Sequence, residues 1–266
     1  MNDGLDQDAY ARVLRSVRLV KAQLPEIVDM LRPLWKPETG EPASLDATIK
    51  EILTVGRPVR RIVGKSRVRR SGYFASRKNA AEGPIAWESE LEKHALWLLE
   101  CDPDVERFIT QPMTITYVLD GKERRHTPDI WCWRGGRPYV IEIKPAWRLQ
   151  RPYVDLRTRV VTELFRRFGI EYLIWRDDQI QREPRLSNMK YLLRFRDQAI
   201  TAKQKWIVRA FLERHKAASI LDVGAQIGPN GRDVVFAMLQ RGQLLFDRDE
   251  PISLKTRVWL RSRGNK

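Results

Sequence analysis

The stretch RRHTPDIWCWRGGRPYVIEIKPAW, residues 124–147, decides how the chain is read. It holds an Asp behind a Pro, two β-rich runs around an Arg-Gly-Gly turn, and then Glu142 and Lys144 two residues apart. Side chains alternate faces along a strand, so Glu142 and Lys144 project one way while Ile141, Ile143 and Pro145 project the other. A solvated edge strand gives that pattern cheaply, and so does the rim of an active site. A glycine pair between two β-rich runs marks a hairpin. Asp129 on one strand and Glu142 on the next are therefore expected side by side.

Working outward, MTITYVL (113–119), RRHTPDIWCW (124–133) and PYVIEIK (138–144) predict a three-stranded meander. Before it, the run from Glu82 predicts a helix that stops before Pro103, with Trp87, Leu91, Ala95, Leu98 and Leu99 on one face. After it, residues 155–169 predict an amphipathic helix ended by Gly169, and residues 170–177 a buried strand. Helix, meander, helix and strand suit an α/β sheet whose last strand arrives by a helical crossover. Trp131 and Trp133 are expected to pack in the core rather than stack on bases, and His126 to be structural.

Both ends of the chain carry further elements. Residues 8–35 have helical spacing, from Tyr10, Val13 and Val17 to Ile27 and Met30, with a break at Pro25, and residues 44–53 predict a short helix capped by Ser44. Residues 178–197 predict partly helical structure leading to a second unit. There, residues 200–215 predict a helix with Trp206, Ile207, Ala210 and Phe211 inward, and residues 219–227 and 230–242 predict two more. Residues 243–261 predict two strands around an acidic turn. Three helices followed by a hairpin is the order of a winged helix, with residues 230–242 in the place of the recognition helix.

With 266 residues and 42% apolar side chains the chain can build a packed core. No apolar run reaches the ~20 residues of a membrane helix, and the first residues lack the apolar centre of a signal peptide. Cys101 and Cys132 lack paired spacing, which points to reduced thiols and a cytoplasmic location; with three histidines they form no zinc pattern. The formal net charge of +15 favours a polyanionic partner, nucleic acid first, although a ribosome or a membrane surface would suit the same number. Between Gly56 and Asn79 there are nine Lys and Arg and no acid. Arg60, Arg61, Lys65, Arg67, Arg69, Arg70, Arg77 and Lys78 in this segment are the candidate contacts to DNA phosphates; a flexible basic tether is the plainer alternative.

Hydrolysis of a phosphodiester with metal ions needs clustered carboxylates to hold Mg²⁺ (or Mn²⁺) against phosphate oxygens, and a Lys or base to orient water. Asp129, Glu142 and Lys144 supply such a set. A third acid would come from the preceding helix, where Glu88 and Glu92 are one turn apart beside the apolar face. Taken singly, Glu92 reads as a solvated helix acid and Lys144 as a surface strand charge.

In order, these residues resemble a known family. Asp129 behind Thr-Pro, followed by Glu-Ile-Lys at 142–144, resembles the PD-(D/E)xK nuclease signature. With SELE (89–92), DPDV and QP (102–112), and the Pro after Lys144, residues 70–180 look like the nuclease domain of TnsA, the endonuclease subunit of Tn-seven-type transposases. The resemblance implies a restriction-endonuclease-like core behind an N-terminal helical and basic extension, and a C-terminal winged-helix-like domain. Its expected boundaries are 1–55, 56–180 and 181–266. It assigns Glu92 as the helix acid, Asp129 as the central metal-bridging acid, Glu142 as the second ligand and Lys144 as the water-orienting residue. It implies transposon-end DNA as substrate, with cutting of the non-transferred strands near the 5′ ends. The implied partners are a DDE-type integrase (TnsB-like) and an AAA+ regulator (TnsC-like), so Arg232 and Arg241 could serve DNA or protein. A stand-alone restriction or junction-resolving nuclease, and a non-catalytic DNA-binding adaptor, remain the alternatives.

Overall fold

A computed structural model describes residues 18–22, 27, 30, 70–79, 83–119, 122–166 and 168–261. The expected helix over 44–53, and Arg60, Arg61, Lys65, Arg67 and Arg69, lie outside these residues. The chain forms two compact units. One comprises Met1–Glu92 with Glu106–Asp177, the other Lys93–Val105 with Asp178–Lys266.

In the first unit, β1 (Arg18–Ala22) pairs antiparallel with β5 (Met113–Leu119), which pairs in turn with β6 (Lys122–His126). The helical spacing of residues 8–35 is thus overruled at 18–22, where hydrogen bonds to β5 take the backbone; Ile27 and Met30 are helical. A second sheet has the order β4 (Val105–Thr110), β7 (Ile130–Arg134), β8 (Arg137–Lys144), β9 (Glu171–Arg176). The expected meander is therefore two hairpins. Thr127, Pro128 and Asp129 end one sheet and start the next, because Pro128 has no N–H to continue a ladder. The β7–β8 turn places Gly135 and Gly136 at φ 58° and 74°, the left-handed pair that a two-residue hairpin loop requires.

The expected helix from Glu82 begins later. Trp87 closes the short strand β3 (Ile85–Trp87), paired with β2 (Gly72–Phe74), and α1 runs Glu90–Cys101. After β8 come α2 (Ala146–Leu149) and α3 (Pro152–Arg166), and then β9, parallel to β8. Val160, Val161, Leu164 and Phe165 of α3 pack with Trp131, Val140 and Tyr172 in one buried cluster. Fully burying each such side chain is worth roughly 1.5–3 kcal/mol. Trp131 is a core residue, as its sequence context suggested.

The second unit holds α4 (Asp177–Ile180, its first residue in the other unit), α5 (Arg185–Leu192), α6 (Ala202–His215), β10 (Ala217–Ser219), α7 (Ile220–Ile227), α8 (Gly231–Gln240), β11 (Leu244–Phe246) and β12 (Arg257–Leu260). The strands form an antiparallel sheet ordered β10, β12, β11. Thr201 and Gln204 form a reciprocal capping box on α6, and Ser219 caps α7. The inward face of α6 is Val208 and Leu212, a rotation from the expected one: Trp206 is 70% exposed and Ala210 is exposed too. Helix α8 is buried at Gly231 and from Val234 through Gln240, leaving Arg232 and Asp233 exposed. Both cysteines are buried and unpaired to each other.

Candidate active site

Strand β7 meets β8 with Ile130 opposite Ile141. One step further along that register Asp129 faces Glu142, and Asp129 Oδ2 accepts a hydrogen bond of 2.6 Å from the Ile143 N–H. The backbone of Asp129 is also held: its carbonyl accepts the Gln111 N–H at 2.8 Å. Gln111 is buried at φ 48°, a left-handed conformation that non-glycine residues seldom adopt. The Gln-Pro landmark of the sequence is thus the clasp that fixes Asp129 from the β4–β5 turn.

Glu142 is 3% exposed. Lys144 donates to its Oε1, and Arg157 Nη2 of α3 stands 3.9 Å from the same oxygen. Its other oxygen, Oε2, lies 3.6 Å from His126 Nε2 and is buried without a hydrogen-bond partner. The same ring nitrogen of His126 is 3.0 Å from the Tyr172 hydroxyl. Burial acts to raise Glu142, but the cationic groups around it outweigh burial and hold the carboxyl below its usual range. Burial also pulls His126 down to about 4, against the attraction of Glu142. Burial first, then Glu142, pushes Tyr172 well above the usual range.

Asp129 behaves in the opposite way. Burial first, then the negative charge of Glu142, raises it well above the carboxylate range; Lys144 opposes, and Glu92 adds to the rise. Two carboxyls in adjoining environments are pushed apart, one toward the acid and one toward the anion. Glu92 is near enough for Asp129 to feel its charge. It also binds the start of its own helix: Oε2 accepts the Glu88 N–H at 2.7 Å and Oε1 accepts from Ser89 Oγ at 3.1 Å.

The structure brings Glu92, Asp129, Glu142 and Lys144 into one electrostatic neighbourhood. Arg157 and Tyr172 belong to it too, and nothing in the local sequence signalled them; of the Gln111 clasp only the Gln-Pro landmark was legible. His126, which reads as structural in sequence, touches the buried carboxylate. Arg70 and Arg77 are exposed and Lys78 half-buried. Arg241 is used inside the second unit, where Nη2 donates to the carbonyls of Arg196 and Gln198. Among the described residues no group of three or more His, Cys, Asp or Glu stands close enough to hold a metal ion, and no helix is long and apolar enough to cross a membrane.

A mixed α/β framework with paired acids and a Lys at adjoining strand ends is consistent with a nuclease-like fold. Residues 102–181 match the family described as TnsA-like endonuclease N terminal. The matched segment includes Asp129, Glu142 and Lys144; Glu92 precedes it. No curated protein matches the chain. Among solved structures, protein VC1899 from Vibrio cholerae is 12% identical over 39% of this chain and 31% of its own, with a TM-score of 0.22. The chain thus spans under a third of that protein's length.

Proposed function

We propose that the chain is the metal-dependent DNA endonuclease subunit of a heteromeric cut-and-paste transposase, built on a PD-(D/E)xK core. The supporting observation is the unequal carboxyl pair Asp129 and Glu142, with Lys144 beside it, inside the segment that matches the TnsA-like domain. An orphaned buried oxygen on Glu142 and a carboxyl on Asp129 crowded by like charges suit a hard cation, which the all-oxygen donor set selects. Mg²⁺ commonly keeps waters and takes only one or two carboxylates together with phosphate oxygens, so two acids suffice. When bound, the ion supplies Lewis-acid stabilisation of phosphate charge and a more acidic water.

The chain's own residues do the rest. Asp129 and Glu142 would hold the ion, and the Gln111 clasp keeps Asp129 at the strand end. Lys144 orients the attacking water and offsets charge developing on the phosphate. Arg157 stands behind Glu142 as a second fixed cation. Glu92, fastened to the helix start, is the third acid facing the site. In this reading DNA at the transposon ends is cut on the non-transferred strands near the 5′ ends, with a DDE-type integrase and an AAA+ regulator as partners. Residues 1–55 are an extension, 56–180 the nuclease domain with its basic arm, and 181–266 a winged helix. Helix, strand, two helices and two strands in the second unit support the last assignment. Its buried α8 leaves Arg232 as that helix's basic group for DNA or protein.

The experiment is Asp129→Ala in a nicking assay on end-bearing DNA with Mg²⁺ and the two partners. Cutting is expected to fall below detection while the melting temperature stays within a few degrees or rises, because a crowded carboxyl has been removed. Undiminished cutting would overturn the assignment.

A further inference from the structure

Two of the large apolar side chains left exposed among the described residues, Trp147 at 52% and Tyr153 at 43%, flank one short segment just beyond Lys144. A single exposed aromatic needs no explanation. This pair is unusual in its company. The Arg148 and Arg151 guanidiniums lie 5.2 and 5.0 Å from the Trp147 ring centre, and that of Arg124 lies 5.3 Å from Tyr153. All three distances are within cation–π range, so the rings are held while much of their surface stays in water. Arg148 and Arg151 are exposed.

The segment is also fixed to the catalytic strand. Pro145 follows Lys144 directly, the Ala146 N–H donates to Asp177 Oδ1 at 2.9 Å, and the Arg148 N–H donates to the Pro145 carbonyl at 2.9 Å. The helix that carries Tyr153 also carries Arg157, whose Nη2 stands 3.9 Å from Glu142 Oε1. The basic and aromatic segment thus adjoins the elements that surround Glu142.

We propose that this surface is the seat of the DNA strand being cut, with Arg148 and Arg151 on its phosphates and Trp147 stacked on an unpaired base beside the scissile bond. The chemistry selects nucleic acid. Cations spaced along an exposed segment neutralise phosphates, and an exposed indole offers a π-face to any base once that base leaves its pair. A protein partner would have to bury these arginines and return a carboxylate to each. The inference rests on the nuclease reading, but it is tested by binding in EDTA, where no cutting occurs, so the two can fail separately.

The measurement is the affinity of the full chain for a forked duplex with unpaired bases and for a fully paired duplex, across a salt series. Trp147→Ala is expected to weaken forked-DNA binding about tenfold or more, and to leave paired-duplex binding within about twofold. Trp147→Phe should recover most of the loss, which separates stacking from a change in fold. Arg148→Ala with Arg151→Ala should weaken both DNAs and flatten the slope of log affinity against log salt by roughly 1.5. Equal loss on both DNAs for Trp147→Ala would overturn the stacking role. Unchanged affinity and slope in every variant would overturn the DNA seat and leave the patch as a protein surface.

Discussion

Two deeply buried polar side chains, Asn188 in the second unit and Glu142 in the first, are used in opposite ways. In the second unit Asn188 is 2% exposed, and both ends of its amide are used: Nδ2 donates to the carbonyls of Arg248 and Glu250 at 3.0 and 2.8 Å, and Oδ1 accepts from Ile252 N at 2.9 Å. That amide ties the β11–β12 loop to α5, and it is neutral. In the first unit Glu142 is as deeply buried, carries charge, is ringed by Lys144, Arg157 and His126, and keeps an oxygen with no hydrogen bond. A saturated neutral group holds loops in place. A charged group kept under-satisfied costs stability, and its use must lie in what approaches it.

The sharpest way to test that contrast is to change the charged neighbourhood one acid at a time. Glu92→Gln can still accept the Glu88 N–H with its one oxygen, while its NH2 can only donate toward Ser89, and it removes the charge felt by Asp129. It should lower cutting roughly 10²–10³-fold with little change in melting temperature. Glu88→Gln, one turn earlier, should stay within about threefold. The reverse order would move the helix acid to Glu88. At the architectural pole, Asn188→Ala leaves two carbonyls and an N–H without their partner. Urea unfolding should show a loss of about 2–3 kcal/mol. A neutral result would mean that water satisfies the loop as well as Asn188 does.

The smallest effect concerns pH. His126 has its folded value pulled from 6.5 to about 4 by burial. The unfolded chain therefore takes up the proton first as pH falls below 6.5, and stability present above that pH is lost progressively down to about 4. Between pH 7 and pH 5 in EDTA, the protein should lose roughly 2 kcal/mol more than His126→Gln does. Equal pH dependence in the two proteins would show that the imidazole is not buried in its neutral form.

Much of the site could be read in the chain because it is local. Period-two alternation sets Glu142 and Lys144 on one face, and a two-glycine turn brings Asp129 to them. What escaped reading is non-local. Glu142 and His126 lie on strands of different sheets, and nothing in either strand's pattern announces the contact. Strand β1 was hidden by helical spacing, since its partner β5 is about ninety residues away and hydrogen bonding to it outweighs a weak local preference. Thr127-Pro128 was visible as part of a motif but not as the place where the chain leaves one sheet for another. On α6 the apolar residues are spread around the helix, so sequence alone could not choose between Trp206 and Val208 as the inward side.

The division of the chain into two units has a consequence for its synthesis. Lys93–Val105 belongs with residues that come much later, and the Cys101 thiol lies against the carbonyl of Met189, 88 positions downstream. At ribosomal speeds of roughly 5–20 residues per second, that separation is on the order of 4–18 s. During that interval Leu98 and Cys101 have emerged without the side chains that later enclose them, although every strand of the four-stranded sheet through β9 is made before Met189. The nascent chain therefore carries an uncovered apolar helix end until the rest of that helix end's own unit is made, and a translational pause after β9 would lengthen that exposure to chaperones and to aggregation.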